Sequence, residues 1–158
     1  MMTSNIKYTS PEIERFFNKN RIKWNDFYNS EKQIFSQLCL NKSTSILDIG
    51  CACGGLGLAL NERFGVKNYT GIEICTDAAK KARILNPQAR IIDGDVLNLS
   101  NQLLGNYDIV TSLSCIDWNI EFSAMLQKAW SLVKVGGEMV LSLRLTEKQG
   151  IDDINISS

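Results

Sequence analysis

The stretch Ser45-Ile-Leu-Asp-Ile-Gly-Cys-Ala-Cys-Gly-Gly-Leu-Gly57 passes from a short apolar strand through a glycine-rich turn straight into a helix start. Small residues at Gly50, Ala52, Gly54 and Gly55 let a ligand reach the backbone, and the helix start beyond offers free N–H groups. Taken alone, such a turn also occurs as a plain tight turn in α/β proteins.

The rest of the chain repeats this strand-then-helix theme. Short β-rich runs at Ser45 to Ile49, Tyr69 to Ile74, Ala89 to Ile92, Tyr107 to Ser112 and Glu138 to Leu145 alternate with helical patterns, which predicts a mostly parallel sheet. Leu56, Ala59, Leu60 and Phe64 form a helical stripe that should stop at a Gly65 cap. A second helix is expected from a Thr76 N-cap to Asn86-Pro87. The fourth crossover carries Phe122, Leu126, Ala129, Trp130 and Val133 as a core stripe ending at Gly136-Gly137. Before the sheet, Ser10-Pro11 predicts one helix start, and the capping box Ser30-Glu-Lys-Gln33 predicts another ahead of Ile34, Phe35, Leu38 and Cys39. The expected organisation is therefore an N-terminal helical segment over 1–44, covering the cofactor side, and an α/β core over 45–158.

Composition removes several function classes. The 158 residues hold 17 Lys plus Arg against 17 Asp plus Glu, so no net positive field attracts nucleic acid or anionic lipid. No run approaches the roughly 18 apolar residues of a membrane span, and the N-terminus lacks an apolar signal region, so a cytoplasmic protein is expected. There is no histidine, hence no imidazole base and no histidine metal ligand. The five cysteines, Cys39, Cys51, Cys53, Cys75 and Cys115, are an odd count without framework spacing and read as reduced thiols. Four of them follow strands and would gather at one rim of the sheet. With no Cys-x-x-Cys present, they read as small apolar packing rather than as a metal site.

Three acids carry the chemical argument. Asp48 ends the first strand where a dinucleotide's pyrophosphate would pass, and like charges repel there. S-adenosylmethionine, with a sulfonium and an ammonium and no phosphate, suits that acid better than NAD does. Glu73 ends the second strand about 20 residues on, the spacing at which a carboxylate accepts from a ribose diol. Asp95 closes the third unit, where it can accept from an adenine amino group while Ile74 and Val96 flank the ring. Any one of these acids would pass for a solvated loop residue; three at successive strand ends point to a nucleoside site.

These motifs resemble the class I S-adenosylmethionine-dependent methyltransferases, particularly the small-molecule branch. The family pattern of an acid followed by Gly-x-Gly-x-Gly reads here Asp48-Ile-Gly50-Cys-Ala52-Cys-Gly54, with alanine at the middle glycine. The similarity runs from about Ser45 to Leu145, through Gly71-Ile-Glu73, Asp93-Gly-Asp95, Tyr107 to Ser112 and Leu132 to Gly137. It implies a Rossmann-like three-layer α/β sandwich in strand order 3-2-1-4-5, and cofactor roles for Asp48, Gly50, Cys51, Glu73, Ile74, Asp95 and Val96. It places Ser112 or Leu113 beside the ligand and suggests that Trp24 and Tyr28 cover the cofactor.

The family's usual seven strands end in an antiparallel hairpin, but only 13 mostly polar residues follow Leu145. A fragment, or a sheet lacking its last two strands, is therefore expected, with an open fifth-strand edge at Leu141, Leu143 and Leu145 able to self-associate. Cys115 stands where cytosine-5 methyltransferases place a nucleophile, yet Ser114 precedes it in place of their proline. The Asn/Asp-Pro-Pro-aromatic pattern of amino methylation is also absent. Methyl transfer to a small-molecule acceptor is expected; a base is needed only for a protonated acceptor, with Asp117 and Tyr28 the nearest candidates, and Asp117 also reads as a cap or turn residue before a helix that begins near Asn119. The competing readings are an NAD-dependent oxidoreductase and a non-catalytic binding module.

Overall fold

The strands are β1 (Ser45–Ile49), β2 (Asn68–Glu73), β3 (Arg90–Asp93), β4 (Tyr107–Leu113) and β5 (Val133–Ser142) in a computed structural model that describes residues 11–144. They form one parallel sheet in the order β3-β2-β1-β4-β5. Side chains of a strand alternate between faces, so adjacent residues feed two cores. Ile46 and Ile109 pack with Leu56, Leu60 and Ala82 on one face, whereas Leu47 and Val110 pack with Met125, Ala129 and Leu132 on the other. Covering both faces buries successive residues of a strand, and in β1 and β4 all but Ser45, Asp108 and Leu113 are buried.

Six helices flank the sheet among the described residues: α1 (Pro11–Lys19), α2 (Asn29–Gln37), α3 (Gly55–Phe64), α4 (Thr76–Leu85), α5 (Asn101–Leu104) and α6 (Phe122–Ser131). α3 ends as expected, with Gly65 left-handed at φ +71° and its N–H donating to the Asn61 carbonyl at 2.9 Å. Because β1 has β2 on one side and β4 on the other, the chain's direction of travel across the sheet reverses there. Such a switch point leaves a crevice at the carboxyl ends of the strands.

Four local expectations are corrected. α2 starts at Asn29 rather than after Ser30, because the Tyr28 N–H donates to Glu31 Oε2 at 2.9 Å, making Glu31 the acid that closes this first turn. α4 begins at Thr76 itself, with Cys75 at the cap. β5 starts at Val133, so Gly136-Gly137 lies inside a strand; Tyr107 pairs with Val133 but Ile109 with Glu138, and the surplus residues bulge out at Gly136 (φ +78°). On α6 the face turned to the sheet is Met125, Ala129 and then Leu132, which leaves Trp130 61% exposed and Phe122 on the surface. Ser10 and Leu145 lie outside the described residues.

Candidate active site

A cavity of about 390 Å³ opens over the carboxyl ends of the strands, within the roughly 300–1,000 Å³ common for small-molecule sites. Asp48 forms part of its floor, 4% exposed, and accepts a hydrogen bond from the Tyr69 hydroxyl at 2.6 Å. Burial pushes this carboxyl up to about 7, while the Tyr69 hydrogen bond and the charge of Arg21 oppose the rise. Gly57 makes the pair possible, since a Cβ there would strike the Tyr69 ring.

Glu73 holds the turn itself. Its Oε2 accepts the Ala52 N–H at 2.8 Å and its Oε1 the Cys75 N–H at 2.8 Å, so the loops after β1 and β2 are tied to one carboxylate. Burial raises the Glu73 carboxyl and these N–H donors pull it back. The two oxygens carry four lone pairs between them, more than the backbone donors use, so acceptor capacity remains for a ligand hydroxyl. Asp95 caps a short 3-10 turn through the Leu97 N–H at 2.9 Å, and Val96 beside it is buried. Gly50 runs at φ +79° against Cys115, whose sulfur occupies the space a Cβ would need.

Backbone strain concentrates here. Among the described residues, Arg21 (φ +61°), Ala52 (φ +48°) and Ser114 (φ +50°) are the non-glycine residues with left-handed backbone, and all three line this cavity. Each costs on the order of 1–3 kcal/mol and persists only where the surroundings enforce it, a pattern that clusters at ligand sites.

The N-terminal segment roofs the cavity with Phe17, Arg21 and Phe27. The Arg21 guanidinium lies 4.5 Å from the Phe27 ring centre and pairs with Glu31 at 2.9 Å. Trp24 and Tyr28 do not line the cavity. Trp24 packs edge-on against Phe64 at 5.2 Å, and Tyr28 is 67% exposed, 5.3 Å from the Arg21 guanidinium. Arg21 stands three residues before Trp24, and no local pattern in the sequence marks it as a cavity residue.

At the β4 end, Leu113, Cys115, Trp118 and Asn119 line the wall, together with Arg144, a residue that sequence reasoning passed over. Ser112 turns away, its hydroxyl donating to the Ile49 carbonyl at 3.1 Å. Asp117 lies behind Trp118 in the chain and outside the lining; its Oδ2 accepts the Arg144 N–H at 3.0 Å, and its Oδ1 is buried without a hydrogen-bond partner among the described residues. Burial pushes the thiols of Cys53 and Cys115 up to about 11 and about 12, and that of Cys51 well above its ordinary value. No group of three or more metal-binding side chains occurs among the described residues.

Residues 46–137 match the methyltransferase domain family. This chain belongs to that family. The methyltransferase domain is similar to the phosphoethanolamine N-methyltransferase of Plasmodium falciparum, 27% identical over 94% of this chain and 58% of the relative. Its fold superposes on that of DesVI from Streptomyces venezuelae with a TM-score of 0.64, at 20% identity over 90% of this chain and 60% of that one. A Thiobacillus denitrificans S-adenosylmethionine-dependent methyltransferase, solved with S-adenosylhomocysteine, gives a TM-score of 0.59 at 16% identity, covering 73% of this chain and 48% of that one. The strand order is thus that of the Rossmann-like methyltransferases. The methyltransferase domain spans about half the length of the relatives it matches.

Proposed function

We propose that the cavity binds S-adenosylmethionine and that the protein transfers its methyl group to a small molecule. The observation that carries this reading is the convergence of Asp48, Glu73 and Asp95, from three successive strand ends, on one cavity. Glu73, already rigid through two backbone donors, suits a ribose diol; Asp95, with Ile74 and Val96 beside it, suits an adenine. Asp48, a carboxyl that burial holds at about 7, gives up its proton most readily opposite a cation, so the floor under the β1 turn favours an ammonium and a sulfonium over a pyrophosphate. Arg21, facing the cavity near Asp48, suits the amino-acid carboxylate. Bound there, S-adenosylmethionine supplies a methyl group that is electrophilic in itself. The protein's share is then to hold the acceptor beside it and to exclude water, which Phe17, Phe27 and Trp118 favour by walling the cavity with apolar surface. We assign Asp117 to holding Arg144 rather than to proton transfer. Five unpaired thiols suit a reducing cytosol.

Titration calorimetry with S-adenosylmethionine, S-adenosylhomocysteine and NAD tests the reading. The first two are expected to bind and NAD is not. Losing a hydrogen-bonded carboxylate costs on the order of 1–3 kcal/mol, so Glu73→Ala should weaken binding about tenfold or more. A thermal melt of the variant separates that effect from loss of the fold. Tight NAD binding, or unchanged S-adenosylhomocysteine affinity in a folded Glu73→Ala protein, would overturn it.

A further inference from the structure

Arg144 stands just past β5, and its side chain, 58% exposed, lines the β4 end of the cavity. Three contacts hold it. Its guanidinium carbon lies 3.5 Å from the centre of the Trp118 ring; its Nε faces Asp117 Oδ2 at 3.5 Å; its backbone N–H donates to that same oxygen at 3.0 Å. Asp117, only 10% exposed, is the fixed partner. The contacts use one face, the Nε edge and the backbone of Arg144, and no described residue accepts a hydrogen bond from its terminal Nη pair. A guanidinium so held presents two parallel N–H donors, the arrangement that binds a carboxylate or phosphate in bidentate fashion.

Charge divides the cavity along the sheet. The acids Asp48, Glu73 and Asp95 stand over β1, β2 and β3, and Arg21 on that side, paired with Glu31 at 2.9 Å, is the cation matched above to the donor's own carboxylate. On the β4 side the lining is apolar at Leu113, Trp118 and Met125, and Arg144 is the cation there. A cationic donor is drawn to the acidic half. A second molecule lying against the β4 wall meets apolar surface, the uncharged polar Ser114 and Asn119, and one oriented guanidinium.

We propose that Arg144, oriented by Asp117 and Trp118, is the specificity-determining residue for the methyl acceptor, and that the acceptor is a small molecule bearing a carboxylate or phosphate. The word acceptor rests on the methyltransferase reading above; the oxyanion site does not. Asp117 and Trp118 are positioning residues in this arrangement. Fixing the stem beforehand matters because a free arginine would lose much of its rotamer entropy on binding.

Benzoate, phenyl phosphate and benzamide are suitable probes, titrated into the full chain with and without saturating S-adenosylhomocysteine. At least one of the two anions is expected to bind tenfold or more tightly than benzamide, and which one does so tells carboxylate from phosphate. Arg144→Gln should erase that preference while S-adenosylhomocysteine affinity stays within twofold of the parent. Arg144→Lys, which keeps the charge but not the fork, should lose several-fold in benzoate affinity, and Trp118→Leu should weaken both anions. Equal binding of the three probes, or a preference that survives Arg144→Gln, overturns the proposal. So does a drop in S-adenosylhomocysteine affinity in Arg144→Gln, which would move the residue to the cofactor's own carboxylate. Failure of the parent to bind S-adenosylhomocysteine sinks the methyltransferase reading alone, since the anion preference is also read in its absence.

Discussion

Asp48, 4% exposed on the cavity floor, meets the Tyr69 hydroxyl at 2.6 Å, and its carboxyl rises from 3.8 to about 7. A carboxyl whose folded value exceeds its unfolded one binds its proton more tightly in the folded state. Its stabilising contribution is therefore complete below the unfolded value of 3.8 and is lost as pH rises through about 7. A rise of this size is worth on the order of 4 kcal/mol at the alkaline limit. Asp48→Asn keeps an acceptor for Tyr69 and removes the titration. In the unliganded protein it should raise the melting temperature at pH 8.5 by on the order of 8–16 °C, and by less than half of that at pH 5. Melting curves at the two pH values decide it, and a difference independent of pH would show that Asp48 is not the titrating group.

α3 begins at Gly55, where a Cβ would overlap the carbonyl oxygen of Arg21. That glycine is what lets the N-terminal segment seat on the helix start and roof the cavity. Glycine to alanine inside a helix ordinarily stabilises by roughly 1 kcal/mol. Here the sign should reverse: Gly55→Ala is expected to lose about 1–3 kcal/mol by overpacking and to weaken S-adenosylhomocysteine binding, read by urea unfolding and calorimetry. A gain in stability would mean that the roof does not rest there. This contact also marks where sequence legibility ends. β1 to β4, the Gly65 cap and the acids at the strand ends follow from local pattern, because periodicity and turn chemistry act within a few residues. The β5 start was hidden because Gly136-Gly137 looks like a helix stop unless the bulge opposite Tyr107 is known. The buried face of α6 went to Met125 and Ala129 rather than Trp130, since a sheet surface selects for fit and not for size alone. Arg21 and Arg144 reach the cavity only through packing between distant segments, which no local pattern encodes.

Across the whole molecule the five thiols differ in access: Cys39 is exposed, Cys75 and Cys115 are partly covered, and Cys51 and Cys53 are buried. Iodoacetamide at pH 8 should therefore label Cys39 first in the native protein. Cys75 lines the cavity, so S-adenosylhomocysteine should slow its labelling and leave Cys39 unaffected, as peptide mass spectrometry would report. Equal protection of Cys39, or none of Cys75, would place the ligand elsewhere. The central place of β1 also has a bearing on biosynthesis. β1 needs β4 as a neighbour, and the bond from Ser45 to Asp108 joins residues 63 positions apart. A ribosome adding about 5–20 residues per second takes roughly 3–13 s to cover that stretch. For that interval Ile46, Leu47 and Ile49 stand on a strand with one edge unpaired. The nascent chain is then open to capture by a chaperone, or by another copy of itself on the same messenger.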